Sequence, residues 1–403
     1  MMKNVMNYWS KIACFLALAS ATPILSEELP TPAPTQPETV QPETQQESPA
    51  IQQAPSPSVE APRPISTINE VARYLAGLHL SPGSPLSALG ENPHWAAHSH
   101  AMNAAFSTLE QRQLNNIRIF RSDAVSPATQ LSHNCVYLFS GPDFLYADAM
   151  FADCTTYVLQ GLEPADPIPD LLTVPQASLD STLQNIQISL NTILNFSFFK
   201  TKDMRQEFQR SQLKGVLPII LVFLARTGKE VQSIDYISLD KGGQVLSSGQ
   251  GAIHGAKIAF SDPATGIQKT LYYFTSDLSD DAVKKNPAVL RFCETLGPFN
   301  CLLKAASYLL HEGGFELVRN FLLQNSSAVL EDDSGIPVRY FTPDRWTPRF
   351  FGVYTGPIDL FKNYYQPELR QFYAASAPKP LTFGFGYRWN SRSSTMILAV
   401  RKN

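Results

Sequence analysis

Two turns and a lone carboxylate define the chemistry this sequence can support. Ser140-Gly141-Pro142-Asp143 stands between an apolar run, Val136-Tyr137-Leu138-Phe139, and a stretch of good helix formers. Glycine permits a tight turn, proline suits an early helical position, and aspartate complements the positive end of a helix dipole. The next strand-like run, Thr156-Tyr157-Val158-Leu159, leads into Gly161-Leu162-Glu163. If the two runs are neighbouring parallel strands joined by a short helix, the turn and Glu163 meet at one sheet edge, where open α/β sheets bind ligands. Ser140, Gly141, Asp143 and Glu163 are therefore candidate ligand-binding residues. Asp143 and Glu163 are also the candidate acid and base of the alternative reading, a hydrolase. A similar turn, Thr355-Gly356-Pro357-Ile358-Asp359, follows another aromatic run and adds Asp359. Arg388 lies between aromatics in Gly384-Phe385-Gly386-Tyr387-Arg388-Trp389, placed to stack on a sugar, pair with a carboxylate or orient a substrate.

Other reactive residues fit structural roles. His94 and His98 have the spacing to share a helix face, but no metal-protease glutamate follows His94, so helix-surface or partly buried roles are expected. Nucleophile signatures fail: Gly-x-Ser-x-Gly is absent, and Ser197-x-x-Lys200 and Ser211-x-x-Lys214 lack their companion motifs. Gly249-Gln250-Gly251 and Gly255 read as hairpin glycines, and the acidic runs 277–281 and 331–333 as solvated turns and caps. No metal and no cofactor are expected. Cys135, Cys154, Cys293 and Cys301 remain after a leader containing Cys14, an even number that suits disulfides in an exported chain. Proximity favours Cys135–Cys154 and Cys293–Cys301, and parallel strands would bring the first pair to one strand end.

The elements that must position these groups read as follows. Helices are expected at 69–78, from Pro93 toward Ile119, from Leu179 to Leu194, around Met204 to Leu213, at 287–296 and over 299–330 with a break at Gly313-Gly314. Strands are expected at 135–139, 156–159, 231–239, 256–260 and 270–274, the last two flanking a turn at 262–266. The tail suggests strand-like runs at 338–341 and 351–354, a helix after Pro357, and a final hairpin, 381–389 with 395–400. This pattern predicts an α/β fold with α+β features: a central mixed sheet flanked by helices, containing a parallel βαβ unit and a C-terminal antiparallel hairpin.

Composition supplies the wider frame. The chain has 403 residues, 44% of them apolar, enough for a sizeable core. Its 32 basic and 35 acidic residues leave a net charge of -3, which argues against nucleic acid as a partner. Residues 1–26 read as a cleavable signal peptide, with Lys3 and Lys11 before a short apolar run and small residues after it. Residues 27–64 hold 10 of the 31 prolines and six glutamates, a solvated linker. Residues 65–403 read as a single globular domain, and no segment reaches the ~20 apolar residues of a membrane span. A periplasmic or secreted protein follows, its partner a small polar ligand, a glycan or an envelope component.

Several stretches carry a resemblance. FSGPDFLYADAMF and TTYVLQGLEP are followed by LNFSFFKTKDM, SQLKGVLPIILVFLAR, LYYFTSDLSDD, LKAASYLLHEGGF, EDDSGIPVRYF, GPIDLFKNYYQPEL and PLTFGFGYRW. Together they resemble an uncharacterised family of exported bacterial proteins. The resemblance covers most of residues 65–403 and stops at the linker. It implies export and brings across no activity, ligand or catalytic residue.

Overall fold

The computed structural model describes residues 66–196 and 213–402. The expected signal peptide and linker, nearly all of the amphipathic segment 204–213, Ser197-x-x-Lys200 and Ser211 lie outside the described residues. Helix α1 (Thr67–Leu75) is followed by α2 (Pro93–Leu109), which starts where Asn92 Oδ1 accepts the His94 N–H and Pro93 occupies the first turn. A π-helical turn, Glu110–Leu114, carries it on into Asn115–Phe120, so the helix expected from Pro93 toward Ile119 is present.

The βαβ unit forms as the apolar runs dictate. Strand β1 (Asn134–Tyr137), helix α3 (Phe144–Met150) and strand β2 (Thr156–Gly161) follow in order, and β1 and β2 pair in parallel with Cys135 opposite Tyr157. Next come α4 (Gln176–Phe196) and α5 (Leu217–Arg226), then β3 (Glu230–Leu239), β4 (Val245–Ser247), β5 (Ile253–Asp262) and β6 (Ile267–Thr275). The apolar run 216–225 thus falls largely in α5, a buried helix of 10 residues with Pro218 in its first turn. No helix among the described residues is long and apolar enough to cross a membrane. The second half supplies α6 (Ala288–Thr295), β7 (Phe299–Leu303), α7 (Glu316–Asn325), β8 (Ser326–Glu331), β9 (Trp346–Gly352), α8 (Pro367–Ser376) and β10 (Thr395–Arg401).

All ten strands join one sheet in the order β4-β3-β5-β6-β2-β1-β7-β8-β10-β9. The block β6-β2-β1-β7-β8 is parallel, while β10 runs antiparallel to β8 and to β9. The fold is therefore a mixed α/β sheet. Alternate residues of its central strands enter two cores. Tyr137, Tyr157, Leu302 and Leu330 pack with α1 to α5 on one face, and Val136, Val158, Cys301 and Val329 pack with α6 and α7 on the other. Helices on both faces explain why the central strands are apolar throughout.

Three expectations are corrected. The helix over 299–330 is instead β7, α7 and β8; Phe299–Leu303 and Ser326–Glu331 are buried at every position, and a strand covered on both faces lacks the alternation that distinguishes it from a helix. Segment 338–341 contains a 3₁₀ turn, Val338–Tyr340, rather than a strand. The last strand does not pair with 381–389: β10 lies between β8 and β9, and segment 381–389 is irregular apart from an isolated bridge between Phe385 and Arg388.

The expected disulfides are also absent. Cys135, Cys154, Cys293 and Cys301 are all buried and unbonded. Cys135 and Cys154 lie in one core, and Cys293 and Cys301 in the other. The strand register nonetheless sets Cys135 opposite Tyr157, while Cys154 stands in the turn before β2 and bonds the Asn300 side chain. Burial pushes the Cys135 and Cys301 thiols well up and raises Cys154 to about 12, so little reactive thiolate forms. Native protein should leave these four thiols unlabelled by maleimide and expose all four on unfolding without reductant. Peptide mapping that finds either pair oxidised in the freshly isolated protein would refute this.

Candidate functional site

The sheet order places a crevice. From β1 the chain crosses through α3 to β2 and later adds β6 beyond it, then returns through α6 to β7 on the other side of β1. Strand order thus reverses between β1 and β7, the point at which loops leaving the carboxyl ends diverge and ligands bind in open α/β sheets.

On the β1 side, the turn 139–143 is sewn to the end of β2. Phe139 adopts a left-handed φ of 62° and donates its N–H to Gln160 Oε1 at 3.0 Å. Gly141 N–H reaches the Gln160 carbonyl at 3.1 Å, and Ser140 Oγ accepts the Gln160 N–H at 3.2 Å. Asp143 then caps α3. Its Oδ1 accepts the Tyr146 N–H at 3.1 Å, and its Oδ2 accepts from the Tyr137 hydroxyl at 3.1 Å and from Lys304 Nζ at 2.8 Å. Lys304, the first residue after β7, also sits 3.9 Å from the centroid of the Tyr146 ring. The side chains of the ion pair are only 1% and 2% exposed, so a charge bond in a dry interior ties the β1 turn to the β7 loop. Such a pair adds little net stability when whole, but losing one partner strands a buried charge.

On the β7 side, the backbone is strained. Ala305, Ser307 and Tyr308 have φ of 52°, 54° and 56°. Left-handed non-glycine residues cost about 1–3 kcal/mol each and persist where surrounding structure holds them. The turn after β8 does so here. Asp332 accepts the Ala305 N–H at 3.3 Å on both oxygens, the Tyr387 N–H at 3.3 Å, and the Ser334 N–H and hydroxyl. Ser334 Oγ accepts the Ala306 N–H at 2.8 Å, and Asp333 Oδ2 accepts the Tyr308 hydroxyl at 2.7 Å. Gly386 closes over this turn, and a Cβ there would overlap the Asp332 carboxylate.

The run 331–333 is therefore no solvated turn: its three carboxyls are almost wholly buried. Burial raises the Glu331 carboxyl well above its ordinary range and raises Asp332 and Asp333 too, with the Asp332 charge adding to the rise at Asp333. Glu331 Oε2 accepts the Ile336 N–H at 2.8 Å, while Oε1 has no partner.

Ser140, Gly141, Asp143 and Glu163 come to the same edge. A Cβ at Gly161 would lie 2.8 Å from Glu163 Oε2 and 3.1 Å from the Gly141 Cα, so β2 must end in glycine for the turn and the carboxylate to approach. Arg388 reaches the second turn rather than the first, donating from Nε and Nη2 to the Gly356 and Pro357 carbonyls at 3.2 and 2.7 Å. Asp359 is exposed at the start of a 3₁₀ stretch, and nothing draws it to the crevice. His98 is buried, its Nε2 2.9 Å from the Leu75 carbonyl, and burial lowers its pKa; no metal-binding group of three or more His, Cys, Asp or Glu occurs among the described residues.

Sequence reasoning missed Lys304, Ser307, Tyr308, Asp332, Asp333 and Tyr387. Their signal was available only through topology, since all but Tyr387 follow the two strands mistaken for helix. Shallow cavities of about 280 Å³, between α2 and α4, and about 380 Å³, at the end of β9 beside α8, are lined by none of these residues. Comparison with protein-family models, curated proteins and solved structures returned no match.

Two measurements probe the site's physics. Asp143→Asn should destabilise by about 3–5 kcal/mol because it leaves Lys304 buried without its counter-charge. Adding Lys304→Met should recover part of that loss, and strictly additive chemical-denaturation energies would refute the coupling. For Glu331, the folded pKa is raised, so its contribution is fully present below the ordinary glutamate pKa and is lost as pH rises through the folded value. Glu331→Gln should therefore be more stable than wild type at about pH 8, the difference shrinking toward about pH 5. A pH-independent difference would contradict a neutral Glu331.

Proposed function

We propose that the protein is an exported envelope protein that binds a small polar ligand at the crevice between β1 and β7. One observation carries the reading. Of the five non-glycine residues with left-handed φ among the described residues, four (Phe139, Ala305, Ser307 and Tyr308) lie on the two loops that flank the switch point. Strain gathered on one edge, and held there by a buried polar network, is the pattern of a preorganised site. Partly exposed Phe139 and Ser307 lie on these two loops, and Tyr387 beside the second.

Binding is favoured over hydrolysis by the state of Asp143. Its carboxylate accepts from three donors and is closed off from solvent, so it has no room to exchange a proton with a substrate. An ester, glycoside and phosphate panel should accordingly show no turnover; turnover lost in Asp143→Asn variants that still fold would restore the hydrolase.

A thermal-shift screen of sugars, amino acids, polyamines and nucleosides tests the binding reading. A true ligand should raise Tm by several degrees and slow amide exchange in 138–146 and 303–309. A screen without hits, or hits that protect only other segments, would overturn it.

A further inference from the structure

We infer that Lys229 and Asp148 are the reacting pair of an intramolecular amide bond, formed by the folded chain itself with Asp262 as the base. The site lies at the amino edge of the parallel block, opposite the crevice, and does not depend on the binding reading. Three elements converge there. Lys229 leads into β3, Asp148 lies on α3, and Asp262 ends β5. Lys229 Nζ is 2.7 Å from Asp262 Oδ2 and 3.4 Å from Asp148 Oδ1. The side chains of Lys229, Asp148 and Asp262 are only 7%, 10% and 12% exposed, so the reactants meet in a nearly dry place.

Each group is held in place before any reaction. Gly228 takes a left-handed φ of 77° as α5 ends, and the Lys229 N–H donates to the Leu224 carbonyl at 2.9 Å. That cap fixes where the lysine stem begins. Asp262 Oδ1 accepts the Ala264 N–H at 3.1 Å, which leaves Oδ2 to the lysine. Phe260 shares a face of β5 with Asp262 and packs on Phe144, one turn before Asp148, with ring centroids 5.5 Å apart. Lys269, the second amine of the cluster, donates instead to the Ala152 carbonyl.

The state of the two acids suits condensation. Burial raises the Asp148 carboxyl above its ordinary range, against the pull of the Lys229 and Lys269 charges. Its Oδ1, facing the lysine, is left short of a hydrogen bond. A neutral carboxyl is the electrophile that an amine requires. Burial works to raise Asp262 as well, but the Lys229 hydrogen bond and charge hold it below its ordinary range, as a carboxylate. Two acids around one lysine are ordinarily a buried ion pair. The unbonded Asp148 oxygen at contact distance from the amine sets this cluster apart.

The step balances without an oxidant, a reductant or an activated donor. Asp262 takes one proton from the Lys229 ammonium, and the freed lone pair attacks Asp148 Cγ. The C–N bond forms as the carbonyl opens, and a second amine proton passes to the departing hydroxyl. The Cγ–O bond then breaks, one water leaves, and Asp262 remains as the neutral acid. An ammonium and a carboxylate are thereby exchanged for a neutral amide and acid, which removes two charges from a poorly hydrated place. The bond joins positions 81 apart, and so closes a long loop in a chain whose four described cysteines are unbonded.

The test is tryptic mapping of the full chain by mass spectrometry, after the folded protein has been denatured and reduced. Lys229 in an amide is closed to trypsin, so segment 122–200 should appear joined to 227–241, one water lighter than their sum. Asp262→Asn keeps an acceptor for the Ala264 N–H but removes the base. In chain sampled at intervals after synthesis, that variant should form the link at least roughly a hundredfold more slowly. Should it fail to fold, the wild-type map decides alone. Cleavage after Lys229 with 122–200 released free overturns the inference, as does loss of water confined to a single peptide. Linkage of 227–241 to 258–269 makes Asp262 the electrophile and overturns the assignment of Asp148. An Asp262→Asn variant that links as fast as wild type overturns the role of Asp262 as base.

Discussion

The Asp143–Lys304 ion pair is the constraint from which the rest of this edge follows. A doubly wound sheet leaves its two central loops diverging at the switch point. Here they are held together instead by a carboxylate from the β1 turn and an ammonium from the β7 loop, neither of them in water. Each charge is affordable only because the other is present and because Tyr137, Tyr146 and the α3 cap supply further polar contacts. That requirement fixes the β7 loop close to β1, and the loop has few residues in which to turn. The left-handed run at Ala305, Ser307 and Tyr308 is how it turns.

A strained loop needs a partner that favours its geometry, and the β8 turn is that partner. Asp332 and Ser334 accept the Ala305 and Ala306 amide protons that left-handed backbone turns inward, and Asp333 takes the Tyr308 hydroxyl. The exchange keeps three consecutive carboxyls in a dry site, where burial raises all three pKa values. Gly386 and Tyr387 then close the turn from the C-terminal segment, with the Tyr387 hydroxyl 3.0 Å from the Ala305 carbonyl. Thus three distant stretches of sequence depend on one another through a single polar network.

This dependence accounts for what could and could not be read from the chain. The βαβ unit was legible because its turn chemistry, glycine then proline then a capping aspartate, is local. The Ile253–Asp262 and Ile267–Thr275 hairpin was legible for the same reason, through its 262–266 turn. β7 and β8 were not, because strands buried on both faces carry an apolar run without a period. The acidic run 331–333 looked solvated because charged residues usually are; its burial at Asp332 is answered by the Ala305 and Tyr387 amides, from distant stretches of the chain, and by Ser334. The last strand was paired with its nearest neighbour in sequence, whereas β10 fills the gap between β8 and β9. Local chemistry was visible, and long-range pairing was not.

Both edges of the sheet contain buried ionisable groups, and they are held in different ways. At the amino edge of the parallel block, Lys229 bonds Asp262 at 2.7 Å and lies 3.4 Å from Asp148, while Lys269 donates to the Ala152 carbonyl. Two lysines there answer two aspartates, and none of the described non-glycine residues with left-handed φ falls among them. That cluster fastens α3 to the β5–β6 hairpin, with Asp148 Oδ1 left short of a hydrogen bond. At the carboxyl edge, Asp143, Glu331, Asp332 and Asp333 outnumber Lys304 and the more distant Arg388, and the strain of the fold is gathered around them. An excess of carboxyls held against desolvation raises their pKa values and ties this edge to the β7 loop through the Ala305 amide, whereas the amino edge is held by ion pairs.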